Sequence, residues 1–189
     1  VQAADSLPSA WTLGGGFHYG FIIPHYEDLK PVSQSHPWGI EISASRLSVT
    51  ERAWNICNCY ANVGVSLNYF NYANPQVLGS SWNLIVFGEP FLTYRKPLFF
   101  TLKGGIGITY LNRVFDEVAN PQNVFYSAPI SFLLLLNVSL NYSLNEKNIL
   151  KISANYNHIS NGGYRLPNKG LNFPTLSLGF AHRLREVAP

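Results

Sequence analysis

The chain has 189 residues, the length of one ordinary domain or of one barrel with long loops. Only 12% of them are Asp, Glu, Lys or Arg while 14% are aromatic, and the net charge is +3, a charge too small and too dispersed to point to nucleic acid. The longest apolar run, residues 132–136, is five residues, far short of the ~18 that a membrane-crossing helix needs. The apolar share is an ordinary 47%, so the chain is short of charge rather than greasy. It opens at Val1 and contains no Met, and a removed secretory signal is the natural expectation.

Period-two alternation recurs along the chain, which is the pattern of half-buried strands. In residues 11–23, Trp11, Leu13, Phe17, Tyr19, Phe21 and Ile23 share one parity, against Thr12, Gly14, Gly16, His18 and Gly20. A loop with Pro24, Pro31 and Pro37 follows. The second run, 39–49, begins Ile40, Ile42, Ala44 and changes parity near Arg46, where a bulge is expected. Residues 50–59 connect it to the next run and hold Cys57 and Cys59. A bridge across one intervening residue is strained, so the pair reads as structurally incidental.

The third run, 60–70, sets Ala61, Val63, Val65, Leu67 and Tyr69 against Asn62, Gly64, Ser66 and Asn68. After a loop at 71–81 comes a more mixed fourth run, 82–95, closed by the tight turn Lys96-Pro97. Phe100, Leu102, Ile106, Ile108 and Tyr110 carry the fifth run, 98–111, and residues 112–129 form another long loop. The sixth run, 130–144, alternates Phe132, Leu134, Leu136, Val138, Leu140 and Tyr142 with mostly Ser and Asn. A short turn at Asn145-Glu146-Lys147 leads into the seventh, 148–160, and the eighth spans 173–184.

Eight such runs, joined by long and short connections in alternation, predict a single domain over residues 1–189. Its fold is an all-β, eight-stranded antiparallel up-and-down barrel. An even strand number closes the sheet and leaves no edge. A soluble barrel would put Lys, Glu, Asp and Arg on its outward parity. Here the polar parity is Ser, Asn, Thr and Gly, small groups suited to a narrow lumen, and the other is large and apolar. Charges concentrate in loops and turns, and Trp11, Trp82, Tyr69, Tyr110 and Tyr142 lie near run ends, where aromatic girdles sit. The expectation is a transmembrane barrel of a Gram-negative outer membrane. A soluble lipid-carrying barrel would instead turn Leu134, Leu136 and Leu140 inward.

Parity then places a polar group on the outer wall. In the seventh run Leu150, Ile152, Ala154 and Tyr156 form the lipid-type parity, and His158 and Ser160 continue it. Asn172, just before the eighth run, shares the outward parity of Leu176, Leu178 and Phe180. Residues i and i+2 of a strand point the same way about 7 Å apart, within reach of an imidazole and a hydroxyl. Nucleophile, base and orienting group is the general pattern of acyl transfer. The bland alternative is that polar residues at a strand end sit in the headgroup layer without chemistry.

The order His158-Ile159-Ser160-Asn161, then Gly162-Gly163, then Pro167-Asn168-Lys169-Gly170, is much less generic. In these residues the chain resembles the lipid A deacylase family of outer-membrane barrels, also called acyloxyacyl hydrolases. The resemblance implies an esterase acting on lipid A, with outer-membrane lipid as its surroundings and no cofactor. It implies Ser160 as nucleophile and His158 as general base and then acid. It further implies Asn161, with the backbone around Gly162 and Gly163, as oxyanion donors, and Asn168 as a polar position of the family loop.

One position departs from the family. Its acid, two residues after the loop glycine, falls on Asn172. Asn172 orients His158 in one reading; in a second, Asp116, Glu117 or Glu89 supplies the charge; in a third the barrel has lost catalysis and serves adhesion or structure.

Overall fold

Alternation of this kind satisfies the backbone only if each strand finds a neighbour on both sides, because hydrocarbon offers no hydrogen bonds. The computed structural model, which describes residues 10–48, 55, 58–93 and 97–185, closes that ring. Its strands are β1 (Trp11–Gly20), β2 (Trp38–Ser48), β3 (Ala61–Asn71), β4 (Ser80–Pro90), β5 (Leu98–Leu111), β6 (Ile130–Ser143), β7 (Asn148–Ser160), β8 (Leu171–Asn172) and β9 (Thr175–Arg183). Neighbours pair antiparallel around the ring, and β9 pairs with both β7 and β1. The short β8 and β9 face β7 in one register, from Asn148↔His182 through Asn155↔Thr175 to His158↔Asn172. They are one strand interrupted at Phe173-Pro174, where proline has no N–H to give the ladder. The barrel is therefore eight-stranded, as its sequence period implies.

The strands differ from the sequence expectation at several points; β4, for one, runs Ser80–Pro90 rather than 82–95. No bulge occurs at Arg46: β2 keeps one register with β3 from Trp38↔Asn71 to Ser48↔Ala61. The parity change reflects a charge on the outward face at the strand's end, not an extra residue. The first strand ends at Gly20, yet its hydrogen bonding goes further. Phe21 N–H donates to Pro174 O at 3.2 Å and Ile23 N–H to Asn172 O at 2.9 Å. The alternation read to Ile23 thus reflects real pairing.

The apolar parity faces outward. Leu134, Leu136 and Leu140 are 50%, 53% and 36% exposed, which rules out the lipid-carrying barrel. An aromatic band crosses the long-loop end of this wall: ring centroids of Phe17 and Trp38 are 6.4 Å apart, Trp38 and Tyr69 6.0 Å, Tyr69 and Trp82 5.1 Å. Tyr110 lies opposite Trp82 in the β4–β5 ladder.

The lumen is more charged than its parity suggests. Beside the expected Ser, Thr and Asn, Lys103 donates to Glu41 at 3.1 Å, and Lys151 and Thr101 to Glu89 at 2.5 and 2.8 Å. Two carboxylates and two ammonium groups balance there, each partnered as buried charge requires. Above them, toward the long loops, lies an apolar plug that includes Phe70, Tyr72, Leu78, Phe125, Tyr126, Ile159, Leu171 and Phe173. Cys59 is disulfide-bonded; Cys57 lies outside the described residues.

Candidate active site

Alternation fixes the site from behind. Ile159 on β7, and Leu171 and Phe173 on either side of Asn172, are fully buried in the plug. Phe173 packs edge-on against Phe70 and Tyr72, with centroids 5.1 and 5.5 Å away. With these neighbours held inside, His158, Ser160 and Asn172 must project from the outer wall. Across the β6–β7 ladder, Ser160 lies opposite Phe132 and His158 opposite Leu134, both outward-facing. On the other flank an apolar groove is lined by Tyr19, Phe21, His36, Ala154, Pro174 and Leu176.

His158 and Asn172 are direct partners in the β7–β8 register, and His158 Nδ1 stands 2.6 Å from Asn172 Oδ1. An amide oxygen only accepts, so Nδ1 carries the hydrogen and, in the neutral ring, Nε2 presents a lone pair. The hydroxyl of Tyr156 donates to the same oxygen at 2.9 Å, and Asn172 Nδ2 meets His25 Nδ1 at 3.1 Å. Ser160 Oγ accepts from Gly162 N–H at 3.2 Å and from Asn168 Nδ2 at 3.0 Å. No hydrogen bond joins Ser160 to His158, although both occupy the outward face of one strand end.

The remaining residues of the motif shape the loop. Asn161 is fully buried, and its Nδ2 donates to Arg165 O at 2.7 Å and to Ser127 Oγ at 3.3 Å. Its Oδ1 accepts from Gly163 N–H at 2.8 Å, so the Asn161 amide and the Gly163 N–H are committed to each other. Asn168 Oδ1 accepts from Asn161 N–H at 3.1 Å, which presents its Nδ2 to Ser160. Gly170 has φ +77°, and a Cβ there would stand 2.8 Å from His158 Cε1. Lys169 ties the loop to the first long loop through Asp28, the face of Tyr26 (4.9 Å) and a bond from His25 Nε2 to Lys169 O (2.7 Å).

Of the other carboxylates considered, Glu89 lies in the lumen, bound to Lys151 and Thr101. Asp116 accepts from the N–H groups of Val118 and Ala119. These backbone donors, Ala119 first, hold its carboxyl below the usual carboxylate range, with Arg165 adding to the effect. The group at His158 is Asn172. Sequence reasoning missed His25 and Tyr156, the first because it lies in a proline-rich loop, the second because a tyrosine on the lipid parity looks like girdle.

The model of one family, lipid A 3-O-deacylase (PagL), matches residues 7–181. The chain belongs to this family. Among solved structures it is similar to the outer membrane enzyme PagL, at 13% identity and a TM-score of 0.62, covering 88% of this chain and 97% of that one. It is also similar to Neisserial surface protein A, at 10% identity and a TM-score of 0.64, covering 93% and 98%. Both likenesses show the outer-membrane barrel fold. A search among curated proteins gives no match.

Proposed function

We propose that the chain is an esterase that releases an ester-linked acyl chain of lipid A through Ser160, His158 and Asn172 on the outer wall. The observation that carries this is the 2.6 Å contact of His158 Nδ1 with Asn172 Oδ1, because it leaves the Nε2 lone pair free on the face that Ser160 shares. A lipid substrate requires such an outward site, and the flanking Phe132, Leu134 and the groove beside Leu176 suit acyl chains.

In this reading Ser160 turns about χ1 from Asn168 toward His158 Nε2, which takes its proton as Oγ attacks the ester carbonyl. The departing Oγ leaves Gly162 N–H and Asn168 Nδ2 as donors beside the reacting carbon. These, rather than Asn161 and Gly163, are then the oxyanion donors. The imidazolium returns its proton to the sugar oxygen as the C–O bond breaks, leaving an acyl-serine. Water, deprotonated by His158, attacks that ester; the fatty acid leaves and Ser160 regains its proton. Asn172 holds the ring throughout and accepts the Nδ1 hydrogen.

The test is to incubate purified protein in detergent with lipopolysaccharide and measure released fatty acid. Ser160→Ala is expected to lose at least about a thousandfold. If wild type and Ser160→Ala are indistinguishable, the reading fails. The separation of Ser160 from His158 at rest favours one rival, a non-catalytic barrel serving adhesion or structure, and the same assay decides between them.

A further inference from the structure

We propose that His25 is a positioning residue that locks the Asn172 amide with its oxygen toward His158. The proposal rests on the acyl-transfer reading above and addresses a problem that the amide itself creates. A carboxylate offers an acceptor whichever way it turns. An amide does not: rotated by half a turn, Asn172 would present Nδ2 to His158 Nδ1. That contact pairs donor with donor unless the imidazole moves its hydrogen to Nε2, and the base then loses its lone pair. A site with Asn where its family has an acid therefore requires something that selects one amide orientation.

The structure supplies it from both ends of the amide. Asn172 Oδ1 has two acceptor positions, filled by His158 Nδ1–H at 2.6 Å and Tyr156 O–H at 2.9 Å. Asn172 Nδ2 meets His25 Nδ1 at 3.1 Å. The tautomer of His25 is set elsewhere: its Nε2 lies 2.7 Å from the carbonyl oxygen of Lys169, which only accepts, so Nε2 carries the hydrogen. In the neutral ring, Nδ1 is then an acceptor, and only Nδ2 of Asn172 can satisfy it. A second neighbour of Nδ1, Ile23 O at 3.4 Å, is too distant to compete. Tyr156 alone selects less firmly, because a hydroxyl can donate or accept.

The backbone brings His25 there. Ile23 N–H donates to Asn172's own carbonyl at 2.9 Å, which extends the β1 pairing to within two residues of His25. Tyr26 and Asp28 then hold Lys169, whose carbonyl fixes the His25 ring. The first long loop thus reaches across the barrel rim to the back of the catalytic amide.

Three variants separate positioning from loop anchoring. His25→Gln can still reach Lys169 O with its amide nitrogen, the place of Nε2, but leaves no acceptor at the place of Nδ1. His25→Asn places its oxygen where Nδ1 was. On lipopolysaccharide, His25→Gln is expected to lower kcat about three- to tenfold with KM little changed, and His25→Asn to recover most of the loss. In an Asn172→Asp background, where both oxygens accept, His25→Gln is expected to cost less than about twofold. Equal losses in the two backgrounds would overturn the proposal, as would a Gln variant better than the Asn variant. A second measurement needs no activity: 15N chemical shifts of His158 in detergent micelles report its tautomer. Nδ1–H is expected in wild type and a mixture in His25→Gln; an unchanged tautomer overturns the proposal. Should wild type and Ser160→Ala both be inert, the esterase reading fails while the NMR result still judges His25.

Discussion

Asn172 Oδ1 lies 2.6 Å from His158 Nδ1, directly across the β7–β8 ladder. In the esterase reading proposed above, Asn172 is a neutral acceptor at the place of the acid that the resemblance implies, and His158 is the base. The difference is confined to charge. The amide can already serve orientation and tautomer, whereas a carboxylate would also stabilise the imidazolium that the proposed attack by Ser160 would form.

Asn172→Asp therefore isolates the charge. Its backbone place is unchanged and both oxygens accept from His158 Nδ1–H and Tyr156. The kcat for fatty-acid release is expected to rise about tenfold, the effect of roughly 1.4 kcal/mol of added imidazolium stabilisation. A fall in rate would show that the fitted amide matters more than the missing charge.

Parity alone makes the outer wall legible in the sequence. It put His158, Ser160 and Asn172 on one face because each is flanked by residues that demand the interior, Ile159 and Leu171 above all. Cross-strand contacts were another matter. Glu41, Glu89, Lys103 and Lys151 sit on separate strands, and nothing local says that they meet in the lumen. His25 likewise reaches Asn172 over 147 positions of sequence. Asn161, which the resemblance implies as an oxyanion donor, has odd parity and turns inward, where its Nδ2 donates to Arg165 O and Ser127 Oγ. Arg46 misled in the opposite sense: one charge on an apolar parity imitated a bulge that the unbroken β2–β3 register lacks.

Gly170 is where the loop motif touches His158. A Cβ at this position would lie 2.8 Å from His158 Cε1, and φ there is +77°. The ring can swing outward, so Gly170→Ala is expected to destabilise by only about 1–3 kcal/mol through backbone strain. Activity should suffer more, by about a hundredfold, because a displacement near 1 Å misaligns Nε2 with Ser160. Comparing urea midpoints with kcat separates the two effects. A loss of stability with undiminished kcat would refute this account of the motif glycine.

The lumen network makes a prediction independent of catalysis. Lys103 Nζ donates to Glu41 at 3.1 Å and lies 4.6 Å from the centre of the Phe87 ring. Lys103→Met keeps much of the packing but leaves Glu41 without its ammonium partner. The expected cost is about 3–5 kcal/mol in reversible unfolding from lipid vesicles. Replacing Glu41 as well, with Leu, should recover most of it, since removing both charges is far cheaper than stranding one. If the double variant is as unstable as the single, the lumen is held by packing and not by charge pairing.

Asp116 gives the third long loop a pH dependence whose sign follows from its partners. The N–H groups of Ala119 and Val118 donate to its Oδ1 at 2.8 and 2.9 Å and favour the ionised form, lowering the folded-state pKa. A lowered value means that the turn contributes stability above the unfolded carboxylate pKa of about 3.9. That contribution fades as pH falls from there through the folded value. Amide exchange or proteolysis within residues 112–129 should therefore quicken below about pH 4 in wild type. In Asp116→Ala it should already be fast at neutral pH and change little on acidification. Acid-quickened opening of the same size in both proteins would assign the effect to another carboxylate.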